Sequence, residues 1–156
     1  MTTREYPSRP VVGVGAVVLV TDADRARIGV PASELRRGVV LIKRRFEPLA
    51  GQWSLPGGAV EVGETLDAAI AREVFEETCL VVDVGPPIEV FDRIMLDESA
   101  RVRYHFVLID YLCHVTGGRL RPGSDVSDAV IADPHALEPF ALTDKARSVI
   151  ARALAI

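Results

Sequence analysis

Apolar and polar positions change their period several times along the chain, and each change marks a predicted element. Residues 11–20 are apolar almost without interruption and rich in valine, with Gly13 and Gly15 set into the run. That pattern predicts a buried central strand whose glycines admit a neighbouring backbone closely. Polar residues with Pro31 and little periodicity fill 21–37 before a second apolar run at 38–43. Loops beyond about 12–15 residues are functional or disordered, so 21–37 is expected to be a long loop, either a lid over a site or disordered surface, with disorder preferred. Further strands are predicted at 59–61, 81–91, 102–114 and 129–132, punctuated by the turn signals Gly85-Pro86-Pro87 and Gly117-Gly118. Helical spacing covers 65–78 and 143–154, the second with Thr143 as N-cap ahead of Ala146, Val149, Ile150 and Leu154. Several strands with two or three helices and no regular alternation predict an α/β domain, a mixed sheet with helices on its faces. No repeat or second domain is visible, so 1–156 reads as one domain, with a flexible N-terminus over 1–10.

Composition narrows this picture mainly by exclusion. With 49% hydrophobic and 26% charged residues in 156, the chain is an ordinary globular one that can bury a core without staples. A net charge of -4 argues against a stable nucleic-acid complex, which would need a basic surface. The start of the chain lacks the basic-then-apolar layout of a secretion signal. No apolar run approaches the ~20 residues of a membrane span. Cys79 and Cys113 form neither a metal-ligand spacing nor a disulfide framework. They read as reduced thiols, and the expected location is the cytoplasm.

The chemistry concentrates in Leu55-Pro56-Gly57-Gly58 and the helix that follows. Gly58 and Gly63 have the G-x-x-x-x-G spacing of a phosphate-binding loop, but Glu64 stands where lysine is required and would repel a phosphate. At about 100° per residue from Leu66, Ile70, Val74, Ala71, Phe75 and Ala68 fall on a side expected to pack, and Arg72, Glu73, Glu76 and Glu77 on the other. Glutamates at 73, 76 and 77 are neighbours that repel one another, at the helix end where the dipole disfavours negative charge. Taken alone they fit a solvated face compensated by Arg72. Clustered carboxylate oxygens are also what Mg²⁺ or Mn²⁺ requires, and such an ion would turn repulsion into coordination.

Gly58, Glu64, Arg72, Glu73, Val74, Glu76, Glu77 and Leu80 match eight of the nine fixed positions of the 23-residue signature box of the Nudix hydrolases, which this chain therefore resembles. The strand ending in Lys43-Arg44-Arg45 and the approach Trp53-Ser54-Leu55-Pro56 extend the likeness over most of the chain. The resemblance implies a Nudix-type α/β/α sandwich and metal-dependent hydrolysis of a phosphoanhydride. It implies that Glu73, Glu76 and Glu77, with the Gly57 carbonyl, hold Mg²⁺ or Mn²⁺, that Arg72 fixes a glutamate, and that Glu64 orients water or a ligand. The favoured substrate is a nucleoside diphosphate linked to another group, ADP-ribose or a sugar nucleotide. The alternatives are a nucleoside triphosphate pyrophosphatase for oxidised or non-standard nucleotides, and a nucleotide sensor without catalysis. Family members acting on ADP-ribose often carry a proline about 15 residues past the box, where this chain has Met95-Leu96. A homodimer is common in the family and stays open here. The one departure in the box is Cys79 in place of glycine, where a left-handed helix exit would cost on the order of 1 kcal/mol.

Outside the box, adjacent strand residues face opposite ways, so one of Arg44 and Arg45 can reach substrate phosphate. Arg45 is preferred on the resemblance. Asp125 and Asp128 precede a strand where the family draws a further carboxylate as metal ligand or general base, and Asp128 is the candidate, also for contact with substrate. Asp97 and Glu98 are weaker acidic candidates. His105 reads as a sheet residue, His114 and His135 belong to no constellation, and Trp53 reads as core rather than as a base-stacking platform.

Overall fold

The computed structural model describes residues 4–34 and 37–156. Strands β1 (Val11–Thr21), β2 (Arg37–Arg44), β3 (Trp53–Ser54), β4 (Gly57–Ala59), β5 (Leu80–Leu96), β6 (Val102–Gly118) and β7 (Val126–Ala132) form one sheet, joined by helices α1 (Asp22–Arg27), α2 (Leu66–Thr78) and α3 (Asp144–Leu154). β1 runs parallel to β6, and the remaining pairs are antiparallel, so the sheet is mixed. The apolar run of β1 is buried on both sides, because alternate residues serve two cores. Val14, Ala16, Val18 and Val20 pack with Ala69, Ile70 and Val74 of α2. Val17 and Leu19 pack with Val149, Ile150 and Ala153 of α3. The result is the expected α/β/α sandwich.

One irregularity of the sheet positions the site. β2 holds β1 only at the far end, through Leu19, Val20 and Thr21. The same edge of β1 at Gly13, Val14 and Gly15 is taken by β4. β1 therefore forks, and the Gly57-Gly58 turn is delivered into the fork beside α2.

Several sequence expectations change. The stretch 21–37 is not an unbroken loop: Thr21 and Asp24 form a reciprocal capping box that starts α1, and Ile28 is buried in the α2-side core. The Thr-x-x-Asp signature at 21–24 carries that helix, which is too short for its periodicity to register. Residues 35 and 36 of the stretch lie outside the described residues. Residues 1–3 of the proposed flexible N-terminus also lie outside them, but the part that follows is tied down. The Tyr6 N–H donates to the Arg103 carbonyl at 2.7 Å, and Glu5 accepts from Arg103 and Tyr104 at 2.9 Å. Gly85-Pro86-Pro87 is no turn but an irregularity inside β5, where the register shifts between Val84 and Pro87. β7 begins at Val126, so Asp128 is a strand residue. No helix among the described residues is long and apolar enough to cross a membrane.

Candidate active site

α2 begins at Thr65, whose hydroxyl accepts from the Ala68 N–H at 3.2 Å. It ends at Cys79 in the left-handed region (φ 59°), with the Cys79 N–H bonded to the Phe75 carbonyl. The helix thus exits in the left-handed conformation expected at this position, on a residue with a side chain. Its last carbonyls are not left open. Those of Glu77 and Thr78 accept from the N–H groups of Gly123 and Arg121, both at 3.0 Å. This draws the segment carrying Asp125 under the helix end.

The helix is rotated from the expected split. Glu73 and Glu77, near -20° and 20° on the wheel, lie on the inward face between Ala69, Ile70 and Val74, while Phe75 is 53% exposed. Glu77 is only 7% exposed, so the solvated-face reading fails for it. The inward glutamates meet the glycine turn. The Gly57 N–H donates to Glu77 Oε1 at 2.7 Å, and a β-carbon on Gly58 would collide with the Glu73 carboxylate. A β-carbon on Gly57 would collide with the Val14 carbonyl. Two consecutive glycines let the β4 backbone approach both the sheet and the carboxylates.

Arg72 organises the remaining side chains. Its Nε donates to Glu64 Oε2 at 2.6 Å and its Nη2 to Glu64 Oε1 at 2.9 Å, a bidentate pair. Nη1 reaches Glu73 at 2.9 Å and Glu76 at 3.3 Å, and Nη2 also meets the Ala59 carbonyl at 3.0 Å. Arg72 and the Glu61 N–H hold the Glu64 carboxyl down at about 2. Burial pushes Glu77 up to about 8, with Glu73 and Asp125 adding to it and the Gly57 N–H and Arg44 opposing. Burial also raises Glu73, against the pull of Arg72. Among the described residues no three such side chains converge as a ready metal cage. Arg72 and the Gly57 N–H engage them instead. Their chemistry still fits a hard divalent cation: two inward carboxylates resist carrying charge beside each other, and Glu76 is free to swing toward them.

The raised groups dictate a pH dependence. Between an ordinary 4.5 and about 8, folded Glu77 keeps a proton that the unfolded chain has lost, and Asp110, pushed up by burial to about 6, adds in the same direction. Stability in chelator should therefore fall as pH rises through that window. Circular dichroism melts at pH 5, 6, 7 and 8 in excess chelator should show a descending Tm. A flat or ascending series contradicts the burial of an uncompensated Glu77.

The other candidates distribute unevenly. Of the arginine pair, Arg44 is half-buried and interacts electrostatically with Glu77 and Glu73, while Arg45 is exposed. Arg44, whose Nε donates to the Pro48 carbonyl at 2.7 Å, is thus the more enclosed of the two. Likewise Asp125 acts on Glu77. Asp128 is exposed, opposite Lys43, and accepts from the Ala129 N–H at 2.8 Å. Asp97 shapes the turn between β5 and β6, accepting from Ser99 and Arg101, and Glu98 is exposed. His105 sits in β6 opposite Ile94, and His114 and His135 are exposed. Trp53 packs against the α3-side core, edge-on to Phe140 at 5.2 Å. Sequence reading missed Arg4, which attracts Glu73, and Asp110, a 6% exposed carboxylate in β6. A lone acid in the apolar run 106–113 was the available signal. A depression of about 410 Å³ lined by Pro134, Leu137, Ile150 and Leu154 lies beside α3, and its lining includes none of the box residues.

Known proteins are similar to this chain in sequence and in fold. An ADP-ribose pyrophosphatase of Methanocaldococcus jannaschii is 37% identical over 66% of this chain and 59% of its own length. A putative 8-oxo-dGTP diphosphatase 2 of Mycobacterium tuberculosis is 40% identical over 61% of this chain and 65% of its own. The matched region thus spans about three-fifths of each of these relatives. A MutT NUDIX hydrolase structure from Burkholderia pseudomallei superposes with a TM-score of 0.71 at 28% identity, covering 93% of this chain and 98% of that one. The family model described as NUDIX domain matches residues 13–153, from the glycines of β1 to the end of α3, and the chain belongs to the Nudix hydrolase family.

Proposed function

We propose that the protein is a divalent-cation-dependent pyrophosphohydrolase acting on a nucleoside diphosphate linked to another group, with ADP-ribose or a sugar nucleotide as first choice. The observation that carries this reading is the pair of inward carboxylates, Glu73 and Glu77, held against a two-glycine turn with Glu76 beside them at the surface. Glu73, Glu76, Glu77 and the Gly57 carbonyl would hold Mg²⁺ or Mn²⁺. When bound, such an ion neutralises phosphate oxygens and makes water a stronger nucleophile at neutral pH. Arg72 fixes Glu73 and Glu64, so the carboxylates keep one arrangement as substrate arrives. Glu64, kept ionised by Arg72, would accept a hydrogen bond from the attacking water and orient it. Arg44 is the cation we assign to substrate phosphate, because of the pair it is the half-buried one and its charge acts on Glu77.

The substrate choice is supported by the name of the Methanocaldococcus relative. The second reading, a triphosphate pyrophosphatase for oxidised nucleotides, draws on the Mycobacterium relative. Both use the same carboxylates. A panel of ADP-ribose, sugar nucleotides, 8-oxo-dGTP and ordinary nucleoside triphosphates, each with Mg²⁺, Mn²⁺ or excess chelator, separates them by product. AMP and ribose phosphate from ADP-ribose are expected, at least about 100-fold above the chelated control. Release of inorganic diphosphate from a triphosphate alone would favour the second reading. No metal-dependent turnover of any member would reject both.

A further inference from the structure

On the α3 side of the sheet the strand registers build three rows. Gly15 of β1 lies opposite Asp110 of β6 and Asp110 opposite Glu89 of β5; the next rows are Gly13, Leu108 and Phe91, then Val11, Phe106 and Arg93. The N-terminal part of α3 covers the first row at its β5 end, where Lys145 bonds Glu89 at 2.8 Å and stands 5.1 Å from the Phe91 ring centre. Phe91, Arg93, Phe106 and Leu108 remain half-buried. At the opposite flank the rows end on β4, since Gly15 pairs with Gly57 and Gly13 with Ala59. The shelf is thus continuous with the glycine turn beside Glu73 and Glu77. With neighbouring strands about 4.8 Å apart, Asp110 stands about 10 Å from Gly57, within the span of one nucleoside.

Asp110 is anomalous on this shelf. It is 6% exposed, yet no hydrogen bond among the described residues satisfies its carboxylate. Its Oδ1 occupies the space where a β-carbon of Gly15 would stand, and the Pro56 carbonyl lies 3.7 Å from that same point. The Pro56 carbonyl already accepts from the Ala16 N–H at 2.9 Å, so the acceptor left without a protein donor there is the Asp110 carboxylate. The charges around it do not resolve this: Arg93 and Lys145 attract the carboxylate from a distance, and Glu89 repels it. A carboxylate this nearly enclosed and without a protein donor is unfavourable, and a structural role alone would have been served by an apolar residue.

We propose that Asp110 is a specificity-determining residue that receives a pair of adjacent hydrogen-bond donors from the nucleoside part of the substrate, lying on the Gly13–Gly15 shelf beside Phe91 and Phe106. Two parts of a nucleotide present such a pair: the N1–H and 2-amino edge of a guanine-type base, and the vicinal diol of a ribose. The inference rests on the proposed nucleotide specificity, so its test uses ligands that a pyrophosphohydrolase does not cleave.

Calorimetric titration of wild type and Asp110→Asn, in chelator, with guanosine monophosphate, purine riboside monophosphate and the 2′,3′-dideoxy form of each separates the possibilities. Asparagine keeps the shape but aims an N–H₂ at the donors. Wild type should prefer a donor-bearing ligand at least tenfold, and Asp110→Asn should abolish that preference while its Tm stays equal or rises. A preference that follows the base edge assigns the base, and one that follows the diol assigns the ribose. Ratios of affinity unchanged by the substitution, or no binding of any of the four to wild type, overturn the proposal. An Asp110-dependent preference without metal-dependent turnover would leave this subsite standing and remove the pyrophosphohydrolase reading.

Discussion

Glu76→Gln should lower metal-dependent turnover by about 100-fold or more while leaving Tm in chelator within about 1 °C of wild type. The two halves of that expectation come from one geometry. The Glu76 side chain is 48% exposed, and its contact with Arg72, at 3.3 Å, is longer than the others Arg72 makes to carboxylates through hydrogen bonds. An exposed pair of that kind contributes little to folding. Its position one turn from Arg72 and beside the inward Glu73 and Glu77 nonetheless makes it the carboxylate that can swing to close a cation site. Steady-state rates at saturating Mg²⁺, together with melts of both proteins, check it. Full activity in the variant would remove Glu76 from the machinery. A large fall in Tm would mean that its structural contribution had been misjudged.

The contrast between Glu76 and its neighbours also shows what could be read from the chain. The spacing of Gly58, Glu64, Arg72 and the glutamates fixed the family and the helix, because those positions carry chemistry that tolerates few alternatives. Which way the helix faces was not legible. A hydropathy wheel counts glutamate as polar and turns it outward, whereas here the Gly57 N–H and Arg72 make burial of Glu77 and Glu73 tolerable and Phe75 is left outside. The choice between Arg44 and Arg45 was open for a related reason. Alternation says that only one points inward, but the choice depends on the phase of the β2 pleat, which no local residue sets. The helix at 22–27 is signalled by two capping residues rather than by a period, and a wheel cannot register fewer than two turns. Asp110 is the opposite case: its exception to an apolar strand was visible, but its meaning depends on Gly15, a residue 95 positions away in sequence that only the parallel pairing of β1 and β6 brings alongside.

Glu77→Gln should separate stability from activity in opposite directions. The amide oxygen can still accept from the Gly57 N–H, so the turn keeps its hydrogen bond. What disappears is a charge that burial, Glu73 and Asp125 all oppose. Above pH 8 in chelator, where wild-type Glu77 is ionised in the folded protein, the variant should melt about 2–4 °C higher, the shift expected of about 1 kcal/mol in a domain of this size. Turnover should fall about 100-fold or more, since a neutral amide contributes neither the charge nor the affinity that a hard cation draws from a carboxylate. At pH 5, where folded Glu77 holds its proton and the unfolded chain, only just above its ordinary value of 4.5, has gained little from losing it, the gain in Tm should be much smaller. A variant that melts lower than wild type at pH 8.5 would show that Glu77 is held by interactions stronger than its desolvation. Retained turnover would show that its burial serves folding alone. The expected pairing, higher Tm with lost activity, is the signature of a site that keeps an unfavourable charge in place because an ion is needed there.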